Sequence, residues 1–157
     1  MKLTFAPKEI IQIDDCRIVH RNLSGRGDKY NREGDRNFSI VIPDEEIAQA
    51  LTEKGWNVHV KPPKEPGDTP FMFLPVKVKF NDYGPIIYVV SNGTQVKLDA
   101  TTVNLIDTID IDSVNLDVRP YDWEVNGSTG RSAYLQTMQV IQKVSRFENS
   151  DIITQNV

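Results

Sequence analysis

Short runs of alternating apolar and polar residues, separated by turn-forming residues, constrain the fold of this chain more than any other feature. The run Arg36–Ile42 has the period of two that is typical of a strand with one buried face, and the runs Ile86–Ser91 and Thr94–Leu98 flank a turn-forming dipeptide. Asn92-Gly93 and Asn126-Gly127 are dipeptides that favour two-residue hairpin turns. Read along the whole chain, the pattern predicts about eight short strands.

A single segment has the pattern of an amphipathic helix. It begins at Pro43 or Asp44, carries an apolar stripe within Ile47–Leu51, and is followed by Gly55, a residue common just past helix ends. Because strands and helices do not alternate, a parallel α/β architecture is disfavoured. We expect a mainly β fold: a Greek-key barrel like the oligonucleotide-binding (OB) fold, with one helix and extra hairpins, in preference to a sandwich.

The length of 157 residues suits one hydrophobic core. We predict one domain over residues 1–147 and a flexible tail over 148–157. Apolar runs are too short to span a membrane, and the N-terminus lacks the apolar core of a signal peptide. With Cys16 as the sole cysteine, these features favour the cytoplasm.

The charge is distributed unevenly. The net charge is −4, yet residues 17–36 carry six cations against three anions. We call residues 21–36, which are rich in glycine and asparagine, the arm. A local positive stripe can hold a polyanion because screening confines charge effects to about 10 Å. The alternative interpretation is a solvated loop with a chance excess of charge.

Three groups of residues are candidates for contacting an unpaired nucleic acid, since cations neutralise phosphates and aromatic rings stack on bases. The arm interleaves five cations with one aromatic ring: Arg21, Arg26, Lys29, Tyr30, Arg32 and Arg36. A second group is the predicted outward row His59, Lys61, Lys77 and Lys79. The third is Arg119, Tyr121 and Trp123 on one strand face, whose two rings could equally close a barrel end.

Catalysis has little support in the sequence. His20 and His59 stand apart, and no cluster of cysteine and histidine has metal-ligand spacing. The acidic stretch that contains Asp110 and Asp112 leaves a metal-dependent nuclease open as a third hypothesis. We predict a protein that is not an enzyme, with no cofactor and no metal.

Four stretches of the sequence resemble a family of small bacteriophage proteins: Tyr30–Phe38, Gly55–Val58, Arg119–Gly127 and Ala133–Leu135. Members are usually described as single-stranded DNA-binding proteins with an OB fold, and the similarity spans roughly residues 10–146 in consistent order. The resemblance implies largely sequence-independent ssDNA binding in phage replication or recombination. The site of action would be the cytoplasm of an infected or prophage-carrying bacterium.

The end of the chain departs from a pattern found in many such proteins, a strongly acidic tail that recruits partners. Residues 146–157 contain only Glu148 and Asp151 as anions, so recruitment of replication or recombination proteins through the tail is in question. ssDNA is the expected partner, and a homodimer is left open. The competing hypothesis is an interaction protein, either an inhibitor of a host protein or a virion component.

Overall fold

A computed structural model describes residues 1–144 of the chain. These residues form ten strands, one α-helix and two 3₁₀ turns, at Pro7–Glu9 and Val103–Asp107. The elements are β1 (Lys2–Phe5), β2 (Ile11–Cys16), β3 (Ile18–Asn22), β4 (Arg36–Ile42), α1 (Glu45–Glu53), β5 (His59–Lys61), β6 (Phe71–Val78), β7 (Ile86–Ser91), β8 (Thr94–Leu98), β9 (Ile111–Val125) and β10 (Ser128–Gln142). The predicted tail 148–157, and the end of the predicted domain at 147, lie outside the described residues.

The strands close into a Greek-key barrel. β3 pairs with β4, β4 with β6, β6 in parallel with β10, β10 with β9, and β9 with β2. β2 and β3 are separated by Arg17 alone, so they are two halves of one strand. The order of pairing that begins at β3 and ends at β2 is therefore circular, as in a barrel. The strand made of β2 and β3, then β4, then β6 are neighbours in the sheet in chain order, and the later strand β9 pairs beside the first of them. This order is a Greek key. The expectation of a mainly β fold of this type with one helix is confirmed.

The helix begins and ends where the sequence indicates. The Asp44 carboxylate accepts a hydrogen bond of 2.8 Å from the backbone N–H of Ile47, which caps the first turn. Gly55 follows the last turn with a positive φ of 88°, a conformation that glycine adopts at little cost. Ala48 and Leu51 are buried, so α1 packs its apolar stripe onto the barrel.

Both predicted Asn-Gly hairpins are present. Asn92 and Gly93 have φ values of 51° and 77°, and Asn126 and Gly127 have 51° and 80°. Positive φ at both central residues identifies turns whose twist matches that of the flanking strands. β9 and β10 are each 15 residues long and carry the second turn at their far end. Pro120 fits within β9 because the pairing of β9 with β2 ends at Val118.

Several details differ from the sequence-based expectations, including the number of strands, which is ten rather than about eight. The β-branched, partly alternating sequence of residues 10–20 predicts a single strand. In the structure this strand is interrupted, because Asp15 has a positive φ of 53° and its N–H donates to Asn115 Oδ1. Alternation from Trp56 to Lys61 predicts a second short strand. The observed strand is limited to His59–Lys61, since the N–H of Trp56 donates to Leu51 O and continues the helix end. β1 was not expected; it is a four-residue edge strand paired with β2 alone.

Inward side chains of the barrel strands form one core. Phe38, Ile40, Val76, Val118 and Met138 are each at most 1% exposed. Alternation along each strand therefore leaves the other set of side chains on the outer face of the barrel. Within residues 1–144, no helix is long and apolar enough to cross a membrane.

Candidate nucleic-acid interface

The outer face of β6 carries both basic and aromatic side chains. Val76 and Val78 are buried, so the residues between and after them, Lys77 and Lys79, point outward and are exposed. This orientation is the one predicted from the sequence. The same alternation places Phe71 and Phe73 on the outer face of the strand.

A groove of about 440 Å³ lies beside the basic half of β6. We call it the basic groove. The side chains that line it include four cations and two aromatic rings: Arg32, Arg36, Lys77, Lys79, Phe80 and Tyr134. The structure thus brings two arm cations of the sequence prediction together with both β6 lysines. Asp35 also lines the groove, so the lining carries four positive charges against one negative charge. A concave surface with an excess of positive charge raises the local concentration of a polyanion.

Tyr134 lies at the centre of this surface. In the sheet it is the register partner of Lys77 on one side and of Arg119 on the other. Lys77 Nζ is 5.8 Å from the centroid of the Tyr134 ring, and Arg119 Cζ is 5.1 Å from it. The ring of Tyr121 meets Tyr134 edge-on at 5.9 Å. A half-exposed aromatic ring between two cations can stack on a base while the cations contact the flanking phosphates.

The basic groove continues at both ends. Lys79 also lines a smaller hollow of about 180 Å³ with Arg119 and Tyr83, a loop residue whose side chain is 96% exposed. At the other end, Lys77 also lines a hollow of about 770 Å³ that contains Trp123. Lys77 lines both the basic groove and the larger hollow, and Lys79 lines both the basic groove and the smaller hollow, so the three adjoin one another. We call these three adjoining hollows the path.

Trp123 and Tyr121 belong to the exposed end of the β9–β10 hairpin. They are 39% and 56% exposed, so neither is buried in the way that closing a barrel end requires. The indole of Trp123 lies across Gly130, its register partner on β10, so closely that a Cβ atom at position 130 would overlap the ring. The absence of a side chain at Gly130 therefore leaves the space that the indole occupies.

The arm is an ordered loop. The Asn31 side chain donates hydrogen bonds to the carbonyls of Arg26, Arg32 and Asp35. The amide of Asn37 donates to Asn31 Oδ1 at 2.9 Å, which ties this network to β4. Asparagine suits such a position because its side-chain amide satisfies several backbone groups in a loop.

The cations of the arm fall into two classes. Arg26, Lys29 and Arg32 are exposed, and Tyr30 is 90% exposed with Lys29 Nζ 5.6 Å from its ring. Arg32 has a solvent-exposed ion pair with Asp35 at 3.4 Å. Pairs of this kind contribute little energy, so the arginine can exchange its partner for a phosphate.

The other two arm cations are engaged with backbone carbonyls. Arg36 donates to Leu23 O at 2.7 Å and to Ala100 O at 3.0 Å. Arg21 donates through Nη1 to Ile106 O and Ile109 O at 2.7 and 2.8 Å. These bonds hold the arm against the segment around the second 3₁₀ turn.

Arg21 lines a separate hollow of about 500 Å³ with Arg17 and Lys143. Asp110 and Asp112 line the same hollow and offset these positive charges. The structure thus places Arg21 apart from Lys77 and Tyr134, which line the basic groove.

His59 and Lys61 are exposed on the short strand β5, which pairs with the aromatic half of β6. The ring of His59 lies 5.1 Å from that of Phe73. These two residues therefore flank the path beyond its basic part, on the same outer face.

Arg131 holds the base of the exposed hairpin. Its side chain is 12% exposed, pairs with both carboxylate oxygens of Asp122 at 2.7 and 3.0 Å, and donates to Lys54 O. The Arg131 hydrogen bond lowers the pKa of Asp122, and the same bond raises the pKa of Arg131. Arg131 also contacts Glu9, so one side chain joins β10, β9, the end of α1 and the N-terminal segment.

One acidic side chain near the arm, that of Asp107, has a structural role. Asp107 accepts hydrogen bonds from the N–H groups of Leu23 and Ser24, which anchors the start of the arm. Burial, with a contribution from Asp14, raises the pKa of Asp117. Among residues 1–144, no three histidine, cysteine or acidic side chains are grouped so that they could hold a metal ion.

Comparison with protein families decides the identity of the chain. The family described as "Putative phage ssDNA-binding domain" matches residues 2–152. The chain belongs to this family of phage ssDNA-binding domains. No curated protein matched the sequence.

Solved structures show that this phage ssDNA-binding domain shares the fold of the single-stranded DNA-binding protein from bacteriophage Enc34. A C-terminally truncated form has a TM-score of 0.57 and 15% identity, over 92% of this chain and 97% of that one. The full Enc34 protein has a TM-score of 0.55 and 13% identity, over 98% and 99% of the two chains. The Enc34 protein in complex with ssDNA has a TM-score of 0.54 and 12% identity, over 92% and 93%.

Sequence reasoning overlooked several side chains on the outer face of this phage ssDNA-binding domain: His20, Phe71, Phe73, Tyr83 and Tyr134. Tyr134 lies in a stretch that carried the family resemblance, yet its strand offered no adjacent cation to mark it. Phe71 and Phe73 share the parity of Lys77 and Lys79 along β6, and this signal could have been read from the sequence alone.

Proposed function

We propose that this phage ssDNA-binding domain binds single-stranded DNA along the path that runs through the basic groove. The central observation is Tyr134, with Lys77 and Arg119 within 5.8 and 5.1 Å of its ring. An aromatic platform flanked by cations is the arrangement that ssDNA-binding proteins use to combine base stacking with phosphate contacts. The Enc34 protein, which shares the fold, has been solved in complex with ssDNA.

Each part of the path has a role in this proposal. Lys77, Lys79, Arg119 and Arg32 contact phosphates, and Tyr134 and Trp123 stack on bases. The arm forms one wall, with Arg26, Lys29 and Tyr30 available to close over the strand, whereas Arg21 and Arg36 hold the arm in position. Since stacking needs unpaired bases, the affinity for duplex DNA should be lower.

The proposed activity is reversible binding without catalysis. Coating of exposed single strands would protect them and remove secondary structure during phage replication or recombination, in the cytoplasm of the bacterial host. Contacts with phosphates and stacking on aromatic rings do not distinguish one base from another, so binding should be largely independent of the DNA sequence.

The test is a titration of labelled oligo-dT and of a matched duplex with the purified protein, followed by fluorescence anisotropy at several salt concentrations. We expect tight, salt-weakened binding to the single strand and weaker binding to the duplex. Equal binding to both, or binding to neither, would overturn the proposal. Binding to neither, together with capture of a host protein, would favour the interaction-protein hypothesis.

The arm is tested separately by replacing Arg26, Lys29 and Arg32 with glutamine. These side chains are exposed, so the thermal unfolding temperature should be unchanged while the affinity for oligo-dT falls and its salt dependence decreases. The matched control is Lys64→Gln, in the exposed loop after β5. Unchanged affinity in the triple variant would remove the arm from the interface.

A further inference from the structure

Four aromatic rings cluster on the outer face next to the basic groove. His20 meets Phe73 edge-on at 5.0 Å and Phe71 at 6.2 Å. His59 lies 5.1 Å from Phe73, and the rings of Phe71 and Phe73 are 5.4 Å apart. We call His20, Phe71, Phe73 and His59 the aromatic cluster. Its members come from three strands, β3, β5 and β6.

The cluster is not part of the barrel core. Phe71 is 36% exposed, His20 and His59 are exposed, and Phe73 is half-buried, while the next inward residues, Met72 and Leu74, are buried. Phe71 and Phe73 are adjacent apolar rings on a water-facing sheet surface, and contiguous exposed apolar groups mark binding surfaces more often than single exposed apolar residues do.

Strand geometry connects the cluster to the basic groove. Phe71, Phe73 and Lys77 lie on the same face of β6, and Phe73 and Lys77 are about 13 Å apart at about 3.3 Å per residue. Pro75 lies between them on that face, half-buried and without charge. Lys61, which is exposed on β5, supplies a cation at the far side of the cluster. The aromatic cluster therefore lies between two cations, Lys77 on one side and Lys61 on the other.

Contacts within the protein orient the ring of His59 beside Phe73. Its Nε2 is 3.1 Å from the side-chain amide nitrogen of Asn57, which orients the imidazole against Phe73. The two rings are tilted by 36° to each other, and His20 stands nearly upright at 78° to Phe73. His20 and His59 thus flank Phe73, and a flat ring can stack on the phenylalanine faces between them.

We propose that the aromatic cluster is a base-stacking subsite that extends the ssDNA path beyond the basic groove along β6. The occupant is the unpaired bases of the same strand whose phosphates contact Lys77 and Lys79. This inference rests on the proposed function and adds to it a second stacking position, separate from Tyr134. A longer oligonucleotide therefore gains affinity once it reaches Phe73.

The experiment combines protein variants with modified DNA. The variant Phe71→Leu/Phe73→Leu keeps apolar side chains but removes both ring faces. Its binding is compared with that of the unchanged protein for oligo-dT and for an oligonucleotide of equal length in which the bases of one half are replaced by abasic residues, placed in either half. Val96→Leu, on the exposed strand β8, is the control variant.

We expect the double variant to bind oligo-dT at least about fivefold more weakly, since one stacked base contributes roughly 5- to 150-fold in affinity. For one of the two abasic oligonucleotides, the variant and the unchanged protein should bind equally, because no base reaches the subsite. Circular dichroism and thermal unfolding should show an unchanged fold.

Equal weakening of the variant on oligo-dT and on both abasic oligonucleotides would overturn the inference, since it would indicate a structural effect. Unchanged binding of oligo-dT by the variant would also overturn it while leaving the proposed function intact. If the unchanged protein bound no oligonucleotide, the proposed function itself would fail, so the two failures are distinguishable.

Discussion

Replacing Tyr134 with alanine should weaken ssDNA binding more than any other single change in the basic groove. The ring is the register partner of both Lys77 and Arg119, so its removal deletes the stacking face and leaves the two cations without their shared contact. Stacking contributes about 1–3 kcal/mol per base, which corresponds to roughly a 5- to 150-fold loss of affinity. Tyr134→Phe retains the face and should bind within about twofold of the unchanged protein.

The assay is fluorescence anisotropy with labelled oligo-dT at one fixed salt concentration, for both Tyr134 variants. Tyr134 is half-buried on the outer face, so alanine should reduce the free energy of unfolding by no more than about 1 kcal/mol, through β-propensity. Chemical denaturation checks this expectation. The reasoning would be refuted if alanine weakened binding less than threefold (roughly 0.7 kcal/mol), or if phenylalanine weakened it as much as alanine.

Three further predictions concern charge, packing and pH. Lys77→Gln/Lys79→Gln should reduce the slope of log affinity against log salt by about 1.4, at about 0.7 per phosphate contact for single strands, as measured by anisotropy; an unchanged slope would place the phosphates elsewhere. Gly130→Ala should displace the indole of Trp123, changing its fluorescence and lowering the free energy of unfolding by about 1–3 kcal/mol; identical emission and stability would contradict the contact. Burial raises the pKa of Cys16 from 9.0 to about 12 and so favours the neutral thiol. The unfolded chain therefore loses this proton first, and stability should fall as the pH rises from about 9 to about 12. Cys16→Ala should lack this contribution in pH-dependent denaturation, and a parallel decline in both proteins would show that other groups cause it.

Local patterns predicted the elements whose chemistry is local. β4, β7 and β8 have the predicted bounds because alternation and an Asn-Gly turn each act over a few residues. The helix likewise follows from the Asp44 cap and Gly55. β1 could not be predicted, because a four-residue edge strand has no pattern of its own and depends on pairing with β2.

The candidate site was predicted in composition but not in arrangement. Lys77, Lys79 and Arg119 were selected as outward cations, yet their convergence on Tyr134 depends on the parallel pairing of β6 with β10, which joins residues far apart in the chain. Nor does the sequence distinguish an arginine that is free to contact DNA from one that holds a loop. Arg21 holds a loop, because it donates to the carbonyls of Ile106 and Ile109. These carbonyls are far from Arg21 in the sequence and come within its reach only when the chain folds.

Mapping of the DNA contact by NMR tests the central claim most directly. A ¹H–¹⁵N correlation spectrum of the labelled protein is recorded during titration with oligo-dT. We predict the largest amide shifts on β6, β10 and β9 around Lys77, Tyr134 and Arg119, which line or flank the basic groove. Shifts concentrated instead around Arg17 and Lys143, in the hollow that also contains Arg21, would contradict the account.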